Sequence, residues 1–461
     1  MNKYKYLLKN MGLLTIGSFS SKILVFLLVP LYTYVLSTKE YGIYDLASTT
    51  IQLLVPILTL NIADGVMRYL MDDHYDADEI ISIGIKYTFL SIFVFSLILG
   101  LNYFFDVFPS FEKYSVYILL LYTTNIFNTL FTQVAKGEER VKEIAVSGIL
   151  STFISILLNI ILLLYVKMRL NGFFIAYIFG QLSSSIYLSI KVKAVKRFTI
   201  KNNRVLEKTM ILYSIPLIMN VLGWWANSVS DRYVVTLMCG LAANGVYSVS
   251  YKIPSILSTI LNIFTQSWQI SAIKESNSKD VKKFYGNLFE LINLVMVTSC
   301  MLLILLSKIL GRILYSKDFF IAWKYVPFLL VAGVFNSASG VLGPILVAQM
   351  KPKAMGVSGL IGALINIVLN IILVWLVGPQ GAAIATAISS YCIYALRRLF
   401  AGDAISYNEL FISIGWLCIV IQSIVMIYFE KMFYIQLIII FVYILLNYKM
   451  FKKALYKVLN R

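Results

Sequence analysis

The sequence predicts an all-α integral membrane protein. About fourteen transmembrane helices form two pseudo-symmetric six-helix lobes around a central cavity, with two extra helices at the C-terminal end. Three observations predict it. Of 461 residues, 59% are hydrophobic and only 13% charged, whereas a soluble globule runs at about 45–50% apolar and about 25% charged. Apolar runs of about 20 residues, the length that crosses a bilayer, recur along the whole chain. And the two halves of the chain repeat one another.

The expected spans are 10–36, 43–70, 82–105, 113–135, 143–166, 171–192, 209–237, 242–272, 284–308, 325–350, 354–377, 381–400, 409–429 and 432–450. They divide into an N-terminal lobe (1–192), a basic cytoplasmic linker (193–208), a C-terminal lobe (209–402), and two further helices with a basic tail (403–461). The first span follows Lys3, Lys5 and Lys9 and runs past Pro30 without a small-residue cleavage site, which reads as a retained helix. The connections are too short for a folded soluble domain, and mean hydropathy is +0.82. Cys239, Cys300, Cys392 and Cys418 lie in or beside apolar runs without C-x-x-C spacing and read as small buried hydrophobes.

The formal charge of +18 in a soluble chain would suggest nucleic acid. Here the cations sit between spans, where they set topology, so no nucleic-acid partner is expected. One side carries Lys86, Lys136, Arg140, the Lys191–Lys208 stretch, Lys274 to Lys283, Arg397, Arg398 and the Lys449–Arg461 tail. The other carries only Lys39, Lys113, Lys167, Arg169, Lys308, Arg312, Lys317, Lys324 and Lys431. Both termini are therefore expected in the cytoplasm. The linker is expected at anionic headgroups. The acidic stretch from Asp72 to Glu79, with His74, reads as a solvated loop with no metal-site spacing.

The repeat is explicit. Val146-Ser-Gly…Leu158-Asn-Ile-Ile-Leu162 aligns with Val357-Ser-Gly…Leu369-Asn-Ile-Ile-Leu373 at an offset of 211, with ten of seventeen positions identical. Asn171-Gly-Phe-Phe-Ile-Ala matches Gln380-Gly-Ala-Ala-Ile-Ala, and Gly42-Ile-Tyr44 matches Gly245-Val-Tyr247. Six helices per half is an even number, so both halves enter from the same side, a parallel repeat typical of transporters.

Four helices carry polar lines at helical spacing. These are Thr15, Ser18 and Lys22 on the first, and Asp45, Ser48, Gln52 and Thr59, with Asp64 and Arg68 beyond, on the second. The seventh carries Tyr213, Asn220, Trp224, Asn227 and Asp231, followed by Arg232. The eighth carries Ser248, Lys252, Ser255, Thr259, Asn262, Gln266 and Gln269. Lipid offers such groups no partners. Helix–helix adhesion is the alternative for an isolated Ser, Thr or Asn. A lysine at membrane depth costs about 2.5–3.5 kcal/mol on insertion scales, so Lys22 and Lys252 point to a cationic cavity. Asp64 and Arg68, four residues apart, read as a local ion pair. Pro30, Pro56, Pro216 and Pro254 on the same helices offer bends.

With these residues in view, the chain resembles the bacterial polysaccharide repeat-unit flippases (O-antigen and capsule, Wzx type) of the multidrug/oligosaccharidyl-lipid/polysaccharide exporter superfamily. The resemblance rests on Asn10-Met-Gly…Ser18-Phe-Ser-Ser-Lys22, Lys39-Glu-Tyr-Gly-Ile-Tyr44, Asp231-Arg-Tyr-Val-Val235, Ala243-Asn-Gly-Val-Tyr-Ser-Val-Ser-Tyr-Lys252 and Gly381-Ala-Ala-Ile-Ala-Thr386. It implies a transporter, not an enzyme, in the cytoplasmic (inner) membrane. Its cargo would be an undecaprenyl-pyrophosphate-linked oligosaccharide, with membrane lipids and the polysaccharide polymerase and chain-length machinery as partners. Lys22 and Lys252 would meet the diphosphate. Ser18, Gln52, Asn220, Trp224, Asn227, Asp231, Arg232, Asn262 and Gln266 would line the substrate site. Asp45 and Asp64 are candidates for coupling to a proton or sodium gradient, with no cofactor and no metal site. The alternatives are a lipid II flippase, a multidrug cation antiporter, or, in another class, a membrane polysaccharide polymerase or glycosyltransferase. The last generally needs a carboxylate-bearing loop outside the bilayer, and Lys308–Lys324 holds only Asp318.

The charge asymmetry makes a test. A cysteine placed in the Lys191–Lys208 loop of a cysteine-free chain should resist a membrane-impermeant thiol reagent in intact cells and react after permeabilisation. Labelling from outside would reverse the orientation.

Overall fold

The computed structural model describes residues 26–72, 74–106, 108–199, 203–259, 261, 265, 268, 280–429 and 433–448. Among them every regular element is helical. The chain divides into two compact units, Met1–Trp225 and Ala226–Arg461.

The first unit begins with α1 (Val29–Val35), where Pro30 occupies the first turn. There its missing N–H forfeits no helical bond. Helix α2 (Thr38–Leu58) starts on a capping box: Glu40 N–H donates to Ser37 Oγ, and the Ser37 N–H donates to Glu40 Oε2 at 2.8 Å. The expected span 43–70 is in fact two helices. After Pro56 the chain turns at Leu60 and Asn61, both left-handed (φ 52° and 51°), and resumes as α3 (Ile62–Leu70), inclined by 59°. The Asn61 N–H closes back on the Pro56 carbonyl at 2.8 Å, the bond that ends a helix when a left-handed residue follows.

Helix α4 (Ala77–Phe105) is capped by the Asp76 carboxylate and turns a line of Phe89, Phe93, Leu97, Leu101 and Phe104 outward, the surface expected against hydrocarbon. Next come α5 (Ser115–Gly137), α6 (Val141–Ile160) with a π-helical turn at Ile161–Tyr165, and α7 (Arg169–Lys191). The first part of α8 (Arg204–Cys239) joins this unit's core through Leu206 and Met210, beside Ile62, Val66, Ile80 and Val134. The linker before α8 is also tied down. Arg197 pairs with Asp78 (2.6 Å) and Glu138, Lys86 with Glu207 (2.8 Å), and Asn203 donates to Glu79 (2.9 Å). The Arg197 guanidinium thus meets carboxylates of its own unit instead of headgroups.

The second unit holds the rest of α8, α9 (Leu241–Ser250), α10 (Val281–Leu314), a 3-10 segment (Lys317–Lys324), α11 (Val326–Ala348), α12 (Pro352–Val377), α13 (Pro379–Ala401), α14 (Glu409–Tyr428) and α15 (Phe433–Leu446). Helix α11 is the most buried of the long apolar helices. Of the two helices without a repeat partner, α14 is anchored on α10, where Trp416 Nε1 donates to Asn293 Oδ1 (2.8 Å) and Gln422 Nε2 to the Met301 carbonyl (3.0 Å), and α15 is held to α14 by Gln436. Helix lies at all fourteen expected spans. Eight described helices are each long and apolar enough to cross a membrane, and the bent α2–α3 pair adds a ninth.

The sequence repeat has a structural counterpart within each unit. Asn159 and Asn370 are both buried, and both donate to the carbonyl four residues earlier (Ser155 at 2.8 Å, Asn366 at 2.9 Å). Gly172 packs against Leu162, and its equivalent Gly381 against Leu373, the matching leucine. A Cβ at Gly172 would press on Leu162 at 3.0 Å, and one at Gly381 would overlap the Leu373 backbone.

A Cβ on Gly381 would overlap the Leu373 carbonyl, whereas one on Gly359 would meet nothing within 4 Å. Overpacking a tight site costs about 1–3 kcal/mol. Gly381→Ala should therefore lower the thermal midpoint of the purified protein by several degrees while Gly359→Ala does not. Equal midpoints would contradict the packing described.

Candidate functional site

In the first unit, the acids proposed for coupling have different surroundings. Asp45 lies on the buried side of α2 (8% exposed). Its carbonyl accepts from Thr49 Oγ1 at 2.9 Å, and the Thr49 carbonyl accepts from Trp225 Nε1 at 3.0 Å. Asp64 sits in the first turn of α3, where the helix N-terminus favours negative charge. Its carboxylate accepts from Asn61 Nδ2 at 2.9 Å and from Gln133 Nε2 on α5. The expected Asp64–Arg68 ion pair is absent among the described residues. Arg68 is turned outward, while the α2–α3 bend and α5 bring two amides to the acid. Gln52 and Trp224 are exposed, and Tyr213 meets the edge of Tyr69 at 6.0 Å.

In the second unit, Asp231 is 2% exposed and closely held. Tyr247 Oη donates to its Oδ2 at 2.7 Å, Tyr251 Oη donates to the same oxygen at 2.5 Å, and the Arg232 N–H donates to Oδ1 at 2.9 Å. The Arg232 guanidinium lies 5.2 Å from the centre of the Tyr251 ring, a cation–π distance. One residue back, Ser230 Oγ approaches Asn366 Oδ1 on α12 (3.5 Å), and Asn366 Nδ2 donates to Ser389 Oγ on α13 (3.1 Å). Asn227 is half-buried, and its Oδ1 has no partner among the described residues. Lys252 is half-buried just beyond α9. Ser18, Lys22, Asn262 and Gln266 fall outside the described residues, as does the side chain of Asn220.

Asp231 is thus gathered with Tyr247, Tyr251 and Arg232, while Asp45 and Asp64 stand apart on either side of the α2–α3 bend. Stripe reading overlooked Asn61, Gln133, Tyr247, Asn366 and Ser389, since none of them belongs to the polar lines singled out on the first, second, seventh and eighth helices. The repeat held a signal for one of them: Tyr247 matches Tyr44 in the Gly42-Ile-Tyr44 and Gly245-Val-Tyr247 pair, whereas Asn366 stands opposite Ser155. In the loop before α4, His74 Nδ1 lies 2.6 Å from an Asp72 carboxyl oxygen. Hydrogen bonds from His74 hold that carboxyl below its usual range. Among the described residues, no three His, Cys, Asp or Glu side chains gather as metal ligands would.

Residues 7–269 match the family described as "Polysaccharide biosynthesis protein". A probable low-salt glycan biosynthesis flippase of Haloferax volcanii is 23% identical over 230 residues, 48% of this chain and 47% of that protein; the match therefore spans about half of that relative's length. Among solved structures, a lipid II flippase in an inward closed conformation superposes with a TM-score of 0.73 at 17% identity, over 96% of this chain and 99% of that one. An inward-facing multidrug resistance transporter of the MATE family gives 0.68 at 13% identity, over 87% and 98%. A superfamily transporter from Pyrococcus furiosus gives 0.59 at 14% identity, over 88% and 96%. At such identities these likenesses speak for the fold alone.

The Asp231 cluster makes a stability prediction. Tyr247→Phe removes one of two hydroxyl donors from a buried carboxylate, and an unsatisfied buried group costs about 1–3 kcal/mol. Its thermal midpoint should fall below that of Tyr213→Phe, whose side chain is exposed. The reverse order would argue that the Asp231 contacts do not hold α8 to α9.

Proposed function

Because this chain belongs to the polysaccharide biosynthesis protein family, we propose that it is a lipid-linked glycan flippase. On this reading it moves undecaprenyl-pyrophosphate-linked oligosaccharide repeat units across the cytoplasmic membrane by alternating access, for cell-surface polysaccharides such as O-antigen or capsule. The family match over residues 7–269 is the observation that carries the reading, and the lipid II flippase fold across 96% of the chain accords with it. It is a transporter, with both ends of the chain in the cytoplasm, and it hands its product to the polymerase and chain-length machinery.

The chemistry of the cargo sets what the chain must supply. A diphosphate needs cations and charge-assisted hydrogen bonds. Lys22 and Lys252 are the cations placed at membrane depth by the sequence, and Ser18, Gln52, Asn220, Asn227, Asn262 and Gln266 are donors and acceptors for sugar hydroxyls. Trp224, exposed on α8, offers a flat face for a sugar ring. Asp231 and Arg232 act one step back, as a fixed pair that positions α9 ahead of Lys252. Asp45 and Asp64 are the acids whose protonation or sodium binding couples the cycle to a gradient.

A cation contributed by either lysine gives the pyrophosphate a charge-assisted partner, which makes cargo binding favourable. Lys22→Ala should abolish the appearance of labelled lipid-linked sugar at the external face, at wild-type expression. Lys22→Arg should retain part of it, since charge survives and hydration changes. Lys252→Ala should be impaired in the same direction. Near-normal flipping by Lys22→Ala would remove the cationic mechanism, and flipping unchanged after collapse of both proton and sodium gradients would remove the coupling role.

A further inference from the structure

The C-terminal end of α10 forms one wall of a cavity of about 180 Å³, closed on the other side by the end of α14 and the start of α15. Leu305, Lys308, Ile309 and Arg312 share the lining face of α10, at the i, i+3, i+4 and i+7 positions of one helical stripe; Phe433 and Gln436 of α15 complete it. The whole cavity lies within the second unit.

Its chemistry is divided. Lys308 and Arg312, four residues apart, bring two cationic side chains to one face of α10. Lys308 also lies 5.3 Å from the centre of the Trp323 ring, and Lys324 lies 5.8 Å from the same ring, so three cations crowd this end of the unit. By the sequence count this is the side where cations are sparse, so topology does not require them there. Leu306, Ile309 and Ile313 on α10 and Leu437 and Phe441 on α15 are exposed beside the cavity, so its flank opens on hydrocarbon. Gln436 is 2% exposed. Its amide NH2 donates to the Gln422 carbonyl at 3.3 Å, and its Oε1 has no partner among the described residues.

We propose that this cavity binds one anionic phospholipid of the bordering leaflet, with a glycerol-phosphate headgroup of the phosphatidylglycerol class. The phosphate meets Arg312 and Lys308 on the cavity wall. A headgroup hydroxyl donates to the buried Gln436 Oε1, a contact that a headgroup without hydroxyls cannot make. The acyl chains lie along the exposed apolar faces of α10 and α15. A free phosphate would satisfy the cations and leave the apolar wall without purpose. The bound lipid then fastens α15 to α10, across helices that the repeat does not account for.

The test uses the full chain in detergent, titrated with phosphatidylglycerol, phosphatidic acid or phosphatidylcholine of matched acyl chains and read by native mass spectrometry. Wild type should bind phosphatidylglycerol most tightly. Arg312→Gln, a change at an exposed position, should weaken it about fivefold, and Lys308→Gln with Arg312→Gln further still, at about fivefold for each cation removed. Gln436→Leu should erase the preference for phosphatidylglycerol over phosphatidic acid and leave the preference for anionic over zwitterionic lipid. Unchanged phosphatidylglycerol binding in Arg312→Gln would overturn the proposal. So would equal binding of phosphatidylcholine by wild type, or displacement of the lipid by millimolar inorganic phosphate.

Discussion

A polar group inside a bilayer has only the protein itself to bond with, and most of this structure follows from that constraint. The backbone meets it by forming helices, the regular elements of the described residues. The side chains meet it locally. Thr49, Thr88, Thr298 and Thr386 each turn a hydroxyl back to the carbonyl four residues earlier. Larger amides and indoles reach farther: Trp416 to Asn293, Gln422 to the backbone of α10, and Gln133 to Asp64. The short-range bonds let polar residues sit anywhere along a span, while the long-range ones decide which helices are neighbours.

The same distinction explains what was legible beforehand. Helix identity and order follow from apolar run length, and the likeness of α6 and α7 to α12 and α13 follows from the repeat. The break between α2 and α3 was not, because it depends on the left-handed conformation at Leu60 and Asn61, and a Pro-containing apolar run looks the same whether it bends by a few degrees or by 59°. Polar stripes were legible as positions and not as roles. A threonine bonded to its own helix and an acid held by two tyrosines read alike in a stripe, yet only the second ties two helices together. Asp64 shows the limit from the other side: spacing offered Arg68 as its partner, and tertiary structure supplied Asn61 and Gln133.

Charge outside the spans obeys a different economy, since water is available there. The ion pairs of Arg197 with Asp78 and Glu138 and of Lys86 with Glu207 are partly exposed, so each contributes little by itself. Together they tie the stretch before α8 to α4 and to the end of α5, and they leave other linker cations, such as Lys193 and Lys196, available to the membrane surface.

The repeat also records a divergence. In the first unit, α6 and α7 cross with Gly180 set directly against Ser155, so closely that a Cβ would collide with the hydroxyl. At the equivalent crossing of α12 and α13 stand Asn366 and Ser389, joined by a hydrogen bond and linked onward to Ser230 on α8. A steric contact has one closest distance, and separating the helices there opens a void with nothing to fill it. A hydrogen-bonded contact can exchange one partner for another as the helices shift. The first crossing is therefore a weld and the second a clasp, and of two halves built on one pattern it is the second that can change its grip on α8 without losing its own integrity.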